Sequence, residues 1–552
     1  MAAMRTARWR VRAAAAAAVA AVATAGCYER GARSPARDDA APPRPPVPGP
    51  PAIAPPGGDP TAAADPDAEL RVWLEAEPAH LNPLLADALA IRVALGDVYE
   101  GLLRRTATGE VEPCLAGSYR REVDDRGRTR WRFTLRSGVV FHDGAPLTAA
   151  DVVFTYRLLV GPDRAPSAYA SAVDDAVSIV AVDDRTVDFV FRGPRLGREQ
   201  TFASVPVVSA RAFAGVSPAA IASAPASRAP VGTGALRAVA WEPGERIVLE
   251  RFDRYWGAPA RARRIVYVIE PSRQRALAAL AAGELDVAVQ LPVDEAIAAA
   301  GGAVRLFAYD APAYLAAVWN VRRPALRDAR VRRALCDLLD RRGVIEQVFR
   351  GYARPVDGPL GWTDASGKRA VNVPIAASFA AARRRARVAL AAAGAGAPRV
   401  ELLVPAESRT MRRIADIWAA DARPLAHIDV ATAPYAAVIE RARAGRFDAV
   451  LLAFSTGPDA DHFDRFHSAR AGETNYGGFA DAQVDALLEQ IRAAPDRAAR
   501  AELERALAAR LKQLQPYCFI ATDRRVGLAR ADVGGIVVTE DGLWARSLWR
   551  AR

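Results

Sequence analysis

Six residues, Arg130-Trp131-Arg132-Phe133-Thr134-Leu135, alternate polar and apolar without a miss, and the stretch after them narrows the choice of fold. Strict alternation sends one set of side chains to each face of an extended segment, so residues 130–135 read as a half-buried strand. Ser137-Gly138 breaks it, Val139-Val140-Phe141 resumes it, and His142-Asp143-Gly144 turns. Thr148 is placed to cap a helix running from Ala149 to about Leu159, with Asp151 at the third helical position as in a capping box. The same alternation of strand and helix continues on both sides. Strands are expected over 71–74, 176–182, 186–191, 246–250, 264–269, 286–290, 400–404 and 448–454. Helices are expected over 90–103 (ending at Arg104-Arg105), 272–282 (closed by Gly283), 331–339, 480–492 and 497–512. Strands interleaved with helices imply α/β lobes with mixed sheets. At 552 residues the chain exceeds one compact domain and is expected to form two to four lobes.

The N-terminus has a different character. Arg5, Arg8, Arg10 and Arg12 precede an apolar run over 13–25 that ends Thr24-Ala25-Gly26-Cys27. A basic start, a short apolar stretch and small residues at the cut site make an export signal. The run is shorter than the roughly 20 residues a membrane span requires. Cys27 after Ala-Gly fits a lipidation site, with Thr24 where leucine is usual; the plainer reading is a secretory signal with an incidental cysteine. Residues 28–68 are rich in Pro, Ala, Gly, Arg and Asp, a composition that cannot bury enough apolar surface to fold, so they read as a tether. The net charge of +12 is carried almost wholly by arginine, since Lys368 and Lys512 are the only lysines. These arginines are interleaved with acids along the chain, which argues against a nucleic-acid patch. Cys114, Cys336 and Cys518 are too few and too scattered for a disulfide framework or a zinc site. Cys336 reads as a small core residue of its helix, and a Cys114–Cys518 bridge has no support in the spacing.

Several ordered elements resemble the bacterial extracellular solute-binding proteins of family 5, which serve dipeptide, oligopeptide and nickel ABC importers. Residues 77–83, Glu-Pro-Ala-His-Leu-Asn-Pro, resemble the family's opening element, Tyr99-Glu100-Gly101-Leu102 its "YEGL", and Glu112-Pro113-Cys114-Leu115-Ala116 the element after it. The stretch from Trp131 to Tyr156 follows the family signature "F-x-L-R-x-G-V-x-F-H-D-G-x-P-L-T-A-x-D-V" almost without gaps. Gly232-Thr233-Gly234, Trp241, Tyr255-Trp256, residues 282–286, Asn320, residues 331–335, Asp340-Arg341 and residues 475–488 continue the resemblance to the C-terminus.

This resemblance implies an α/β periplasmic-binding-protein type II-like fold, with two main lobes, an inserted third lobe and a hinge. Lobe I would comprise 69–96, 229–319 and 523–552, lobe II 97–228, and lobe III 320–522, hinged near Asn320 and Thr522. It further implies capture of a small solute, a peptide above all, in an interlobe cleft and delivery to an ABC permease. The protein would be a periplasmic or cell-surface monomer, lipid-anchored through Cys27, with no enzymatic activity and no cofactor. A nickel chelate or a sugar is the alternative ligand, and a sensor or chaperone-like lipoprotein the alternative role. In the peptide-binding branch an acidic residue of lobe III holds the ligand's amino terminus. The matching stretch here is 454–462, which carries that role onto Asp459 first and Asp461 second, against a plain reading in which both only cap a loop and a helix start. Glu77 matches a position that contacts the ligand backbone, and Asn475 and Tyr476 match loop residues at the cleft. Tyr314, Trp319 and Phe454 either line the pocket or pack in the core. His462 and His467, five apart beside three aspartates, lack the spacing of a metal site. His142-Asp143 reads as turn chemistry, since no nucleophile or acid–base partner is in reach.

Overall fold

The computed structural model describes residues 64–552, apart from 86–94, 108–109, 166, 168, 196, 360–377, 456–460, 495–496 and 540–541. The export signal, Cys27 and most of the tether lie outside the described residues, as does Asp459. The folded part begins earlier than composition suggested: Ala64 bridges Ala551, the Asp65 N–H donates to the Arg550 carbonyl at 2.9 Å, and Ala68 is buried.

The alternating segment forms the strand Thr129–Leu135, with Thr129, Trp131, Phe133 and Leu135 buried. It is the second strand of a four-stranded antiparallel sheet, between Ala116–Val123 and Thr186–Phe191, with Ala176–Ala181 at the far edge. Its inner face is a ring cluster in which Phe202 packs 4.5 Å from Phe133 and 5.0 Å from Phe189, centroid to centroid. Edge-to-face pairs of this kind add to the stabilisation from apolar burial alone. The helix Ala149–Arg157 starts as expected. The Thr148 N–H and Oγ1 both donate to Asp151, whose second oxygen accepts from the Ala210 N–H at 2.9 Å. Residues 139–141 do not resume the strand; a single bridge joins Val140 to Pro146, because the chain turns at Gly138 and Gly144 with φ of +78° and +87°. A second correction concerns the end of the expected helix over 90–103. Leu103–Arg105 is a strand paired with Val111–Pro113 across a short turn, so pairing decides the conformation there, not helical periodicity.

Two short C-terminal pairs, Val533–Gly534 with Trp549–Arg550 and Val538–Thr539 with Gly542–Leu543, stand apart, and the other strands form one ten-stranded mixed sheet. Its order is His427–Ala433, Arg399–Pro405, Ala449–Ser455, Val304–Trp319, Tyr517–Arg530, Val287–Leu291, Glu69–Leu74, Arg264–Ile269, Arg246–Arg251 and Leu236–Glu242. Val304–Trp319 and Tyr517–Arg530, of 16 and 14 residues, run antiparallel through its middle and belong to both halves. Their register shifts between Asp310 and Tyr314, opposite Arg524 and Thr522, and slips again between Leu315 and Ala316, opposite Ala521 and Phe519; the first of these is the shift referred to below. On the near side of the shift the pair continues to Val287–Leu291; beyond it, Ala313–Trp319 pairs with Ala449–Ser455. Asn320 lies past the end of the crossing strand, whereas Thr522 sits at the shift. In the far half, alternation divides the strand between two cores. Leu315, Ala317 and Trp319 face one, and Tyr314, Ala316 and Val318 the other.

The cysteine reading is overturned as well. Cys336, in the helix Ala329–Asp337, is disulfide-bonded to Cys518 in the strand Tyr517–Arg530, with a Cα–Cα distance of 5.5 Å across 182 residues of sequence. Cys114 is buried and free.

Candidate ligand site

In mixed α/β sheets, ligands settle at the carboxyl ends of parallel strands. Here both halves of the large sheet direct such ends toward the register shift. Glu69–Leu74, Arg264–Ile269 and Val287–Leu291 lead to Glu75–Glu77, Glu270 and Pro292 on the near side. Arg399–Pro405, His427–Ala433 and Ala449–Ser455 lead to Ala406–Ser408, Pro434–Tyr435 and the segment after Ser455 on the far side.

On the near rim Glu77 is exposed, and its Oε1 accepts from the Trp241 Nε1–H at 2.9 Å. The Arg228 guanidinium lies 4.2 Å from the centroid of the Trp241 ring, a cation–π contact that fixes the indole plane. Neither Arg228 nor Trp241 was singled out as a site residue. Only contacts over 164 residues of sequence bring Trp241 to Glu77.

On the far rim Tyr314 and Phe454 stack at 5.5 Å, with Tyr517 at 5.4 Å from Phe454 and Phe519 at 5.4 Å from Tyr314. The Arg465 guanidinium lies over both rings, 5.9 Å from Tyr314 and 5.4 Å from Phe454. Burial raises the Tyr314 hydroxyl pKa while Arg465 draws it back. Trp319 does not join them. It lies five residues farther along its strand, roughly 17 Å away at about 3.3 Å per residue. It also points to the opposite face, edge-on to Trp418 at 5.7 Å, so it is a core residue and not a pocket floor.

Asp461 Oδ1 accepts from the Phe463 N–H at 3.0 Å, and Oδ2 pairs with Arg492 at 2.6 Å. It therefore starts the short helix Phe463–Phe466 and is already ion-paired. Asn475 is fully buried and organises its own loop: Nδ2 donates to the carbonyls of His467 and Phe479, and Oδ1 accepts from the Phe479 N–H. Tyr476 is half-buried against the core that holds Tyr314 and Phe454. Burial and the neighbouring Arg465 and Arg500 push the His462 pKa well down. His467 Nδ1 accepts from the Ala469 N–H at 3.1 Å. Among the described residues no group of three His, Cys, Asp or Glu side chains is placed to hold a metal ion.

The motif residues with the most suggestive chemistry are structural. Glu100 is buried and receives four donors: Tyr255 Oη at 2.7 Å, Trp256 Nε1 at 3.0 Å, Thr233 Oγ1 at 2.9 Å and the Cys114 thiol at 3.5 Å. Burial raises its pKa against those donors. This one carboxylate ties its own segment to Thr233 and to Tyr255-Trp256, which lie 133 to 156 residues farther along the chain. His142 accepts the Gly232 N–H on Nδ1 at 3.2 Å, so its Nε2–H donates to the Gly234 carbonyl at 3.0 Å. Burial lowers its pKa to about 4. Gly232 is required by its neighbour, because a Cβ there would lie 1.9 Å from the Val98 carbonyl oxygen.

The family model described as "Bacterial extracellular solute-binding proteins, family 5 Middle" matches residues 110–475. Protein XP55 of Streptomyces lividans is 27% identical over 458 residues, covering 79% of this chain and 81% of that protein. Oligopeptide-binding protein AppA of Bacillus subtilis is 24% identical over 465 residues, covering 80% of this chain and 84% of AppA. The structure of AppA in complex with a nonapeptide superposes with a TM-score of 0.65 at 22% identity, covering 89% of this chain and 100% of that one. The unliganded open form of the murein tripeptide-binding protein MppA gives 0.75 at 21% identity, covering 89% and 99%.

Proposed function

Because the chain belongs to the bacterial extracellular solute-binding proteins of family 5, we propose that it captures a small solute, a peptide above all, between the two halves of its large sheet and hands it to an ABC permease. The observation that carries this reading is the pair of strands crossing from one half to the other with a register shift between two facing rims. Two rigid halves joined by such a crossing close around a ligand by bending at the shift.

The bounds expected from the resemblance are moved here to the register shift: on this reading 69–96, 229–309 and 525–552 form lobe I, 97–228 lobe II and 315–521 lobe III, with the hinge at 310–314 and 522–524 in place of Asn320 and Thr522. Glu77, held by Trp241, meets the peptide main chain. Asp459, with Asp461 beside it, holds the ligand's amino terminus, since a buried ammonium left without a charged partner costs several kcal/mol. Asp461 is already engaged by Arg492, which favours Asp459 for that role. Tyr314 and Phe454 back the pocket under Arg465. The protein acts as a monomeric binder, not an enzyme, and is exported and held to the membrane through lipidated Cys27. The Cys336–Cys518 disulfide supports an oxidising compartment, and among the described residues no helix is long and apolar enough to cross a membrane.

The test is calorimetric titration of the purified protein with di- to octapeptides. Binding is expected in the micromolar range, about −8 kcal/mol. Asp459→Ala should abolish it and Trp241→Ala should weaken it. Unchanged affinity in Asp459→Ala would remove the amino-terminus assignment, and failure of every peptide class to bind ligand-free protein would remove the peptide reading.

A further inference from the structure

Lined by none of the rim residues described above, a cavity of about 510 Å³ opens among the helices of the far half. It is lined by Arg333 and Asp337 of the helix Ala329–Asp337, Arg385 of Phe379–Ala392, Lys512 of Arg497–Leu514, and by Arg341 and Asp357. Four cations thus face two carboxylates. Each carboxylate is taken by one cation: Arg385 Nη2 lies 3.1 Å from Asp337, and Lys512 Nζ 2.9 Å from Asp357. The other two arginines bind only carbonyl oxygens among the described residues. Arg333 Nη2 donates to Lys512 and Gln513 at 3.1 and 2.8 Å. Arg341 donates through Nη1 to Val356 and Phe519 at 3.0 and 3.1 Å.

Arg341 is the informative member. Burial lowers its pKa, with Asp357 and Asp337 opposing from beyond ion-pair distance. Arg341 is half-buried, and a partly desolvated guanidinium without a direct counter-ion is relieved by a charge-assisted bond to an anion. The wall is also rigid, because Cys336, which lines the same cavity, is bonded to Cys518 in the central sheet.

We propose that this cavity is a second binding site, separate from the interlobe rims, for a small oxyanion carrying two or more negative charges. The fork of an arginine suits the paired oxygens of a carboxylate or phosphate. The volume admits an anion the size of citrate and exceeds what a single phosphate fills. This inference does not depend on what the rims bind.

The experiment is isothermal titration of the full chain with citrate, and separately with inorganic phosphate, in low-salt buffer. Saturable binding of one probe is expected. The double variant Arg385→Ala/Lys512→Ala should weaken it at least tenfold, and Asp357→Asn, which removes a competing carboxylate, should tighten it several-fold. Both sites of the double variant are on exposed helix faces, and its thermal unfolding without ligand checks that the fold survives. Tighter citrate assigns a multicarboxylate, and tighter phosphate a phosphorylated compound; either supports the site. No binding of either probe, binding unchanged in the double variant, or weaker binding in Asp357→Asn would overturn the proposal.

Discussion

Acidification from pH 7.5 to 4.5 should destabilise the protein through His142 in a way that can be isolated and measured. The ring bridges Gly232 and Gly234, accepting from one and donating to the other, so only the neutral tautomer with the proton on Nε2 fits. Protonation would set a new N–H on Nδ1 against the Gly232 N–H, beside Arg237, in a largely buried site. The folded pKa is accordingly about 4, against the ordinary 6.5 of the unfolded chain. With the folded value depressed, the unfolded chain binds the extra proton in this window, so stability is fully present above pH 6.5 and declines as pH falls toward 4. At about 1.4 kcal/mol per pKa unit, the gap corresponds to roughly 3 kcal/mol. Other groups titrate in the same range, so the assay is a difference: urea midpoints of the native protein and of His142→Gln at half-unit steps from pH 7.5 to 4.5. The native protein should be the more stable at pH 7.5, and its advantage should shrink by about 2 to 3 kcal/mol by pH 4.5. A gap that stays constant across the series would show that His142 does not titrate against the fold, and the tautomer argument would fail.

Glu100→Ala leaves the Tyr255, Trp256 and Thr233 donors buried without their acceptor, at about 1–3 kcal/mol each, and should lower the melting temperature by at least several degrees. Cys336→Ser/Cys518→Ala removes a cross-link over 182 residues of sequence; chain-entropy reasoning sets the loss at up to about 5 kcal/mol, read from urea midpoints, and reduced native protein should behave alike. Gly232→Ala forces a Cβ onto the Val98 carbonyl and should abolish soluble expression or lower the melting temperature sharply, whereas alanine at Gly193, whose added Cβ meets nothing nearer than 3.8 Å, should not.

The parts of the fold that were legible in the sequence are those decided within about a dozen residues. The strands Thr186–Phe191 and Arg264–Ile269 match their expected bounds because alternation and flanking turns are local signals. The helix Arg273–Ala282 begins after Ser272 and ends at Gly283 for the same reason. Leu103–Arg105 was misread because three residues carry too little periodicity to show that they pair across a turn. The Cys336–Cys518 bond depends on which face of a 14-residue strand a cysteine occupies and on which helix packs there, and spacing encodes neither. The site divides along the same line. Resemblance led to Glu77 and the far rim, but the Trp241 and Arg228 contacts that position Glu77 arise from packing between distant segments. The resemblance puts Asn475 at the cleft, and a motif match does not reveal that its amide is spent on the backbone of its own loop.

The two halves are joined by a paired ribbon, not by flexible linkers, and this bears on the thermodynamics of capture. A linker that stiffens on closure would charge its lost conformational freedom against every ligand, at about 1–2 kcal/mol per residue frozen. Strands already held in a ladder on both sides of the shift have little such freedom to lose. On the proposed function, closure would be a torsion of an ordered element, and affinity would be set by the contacts at the two rims and the water they release.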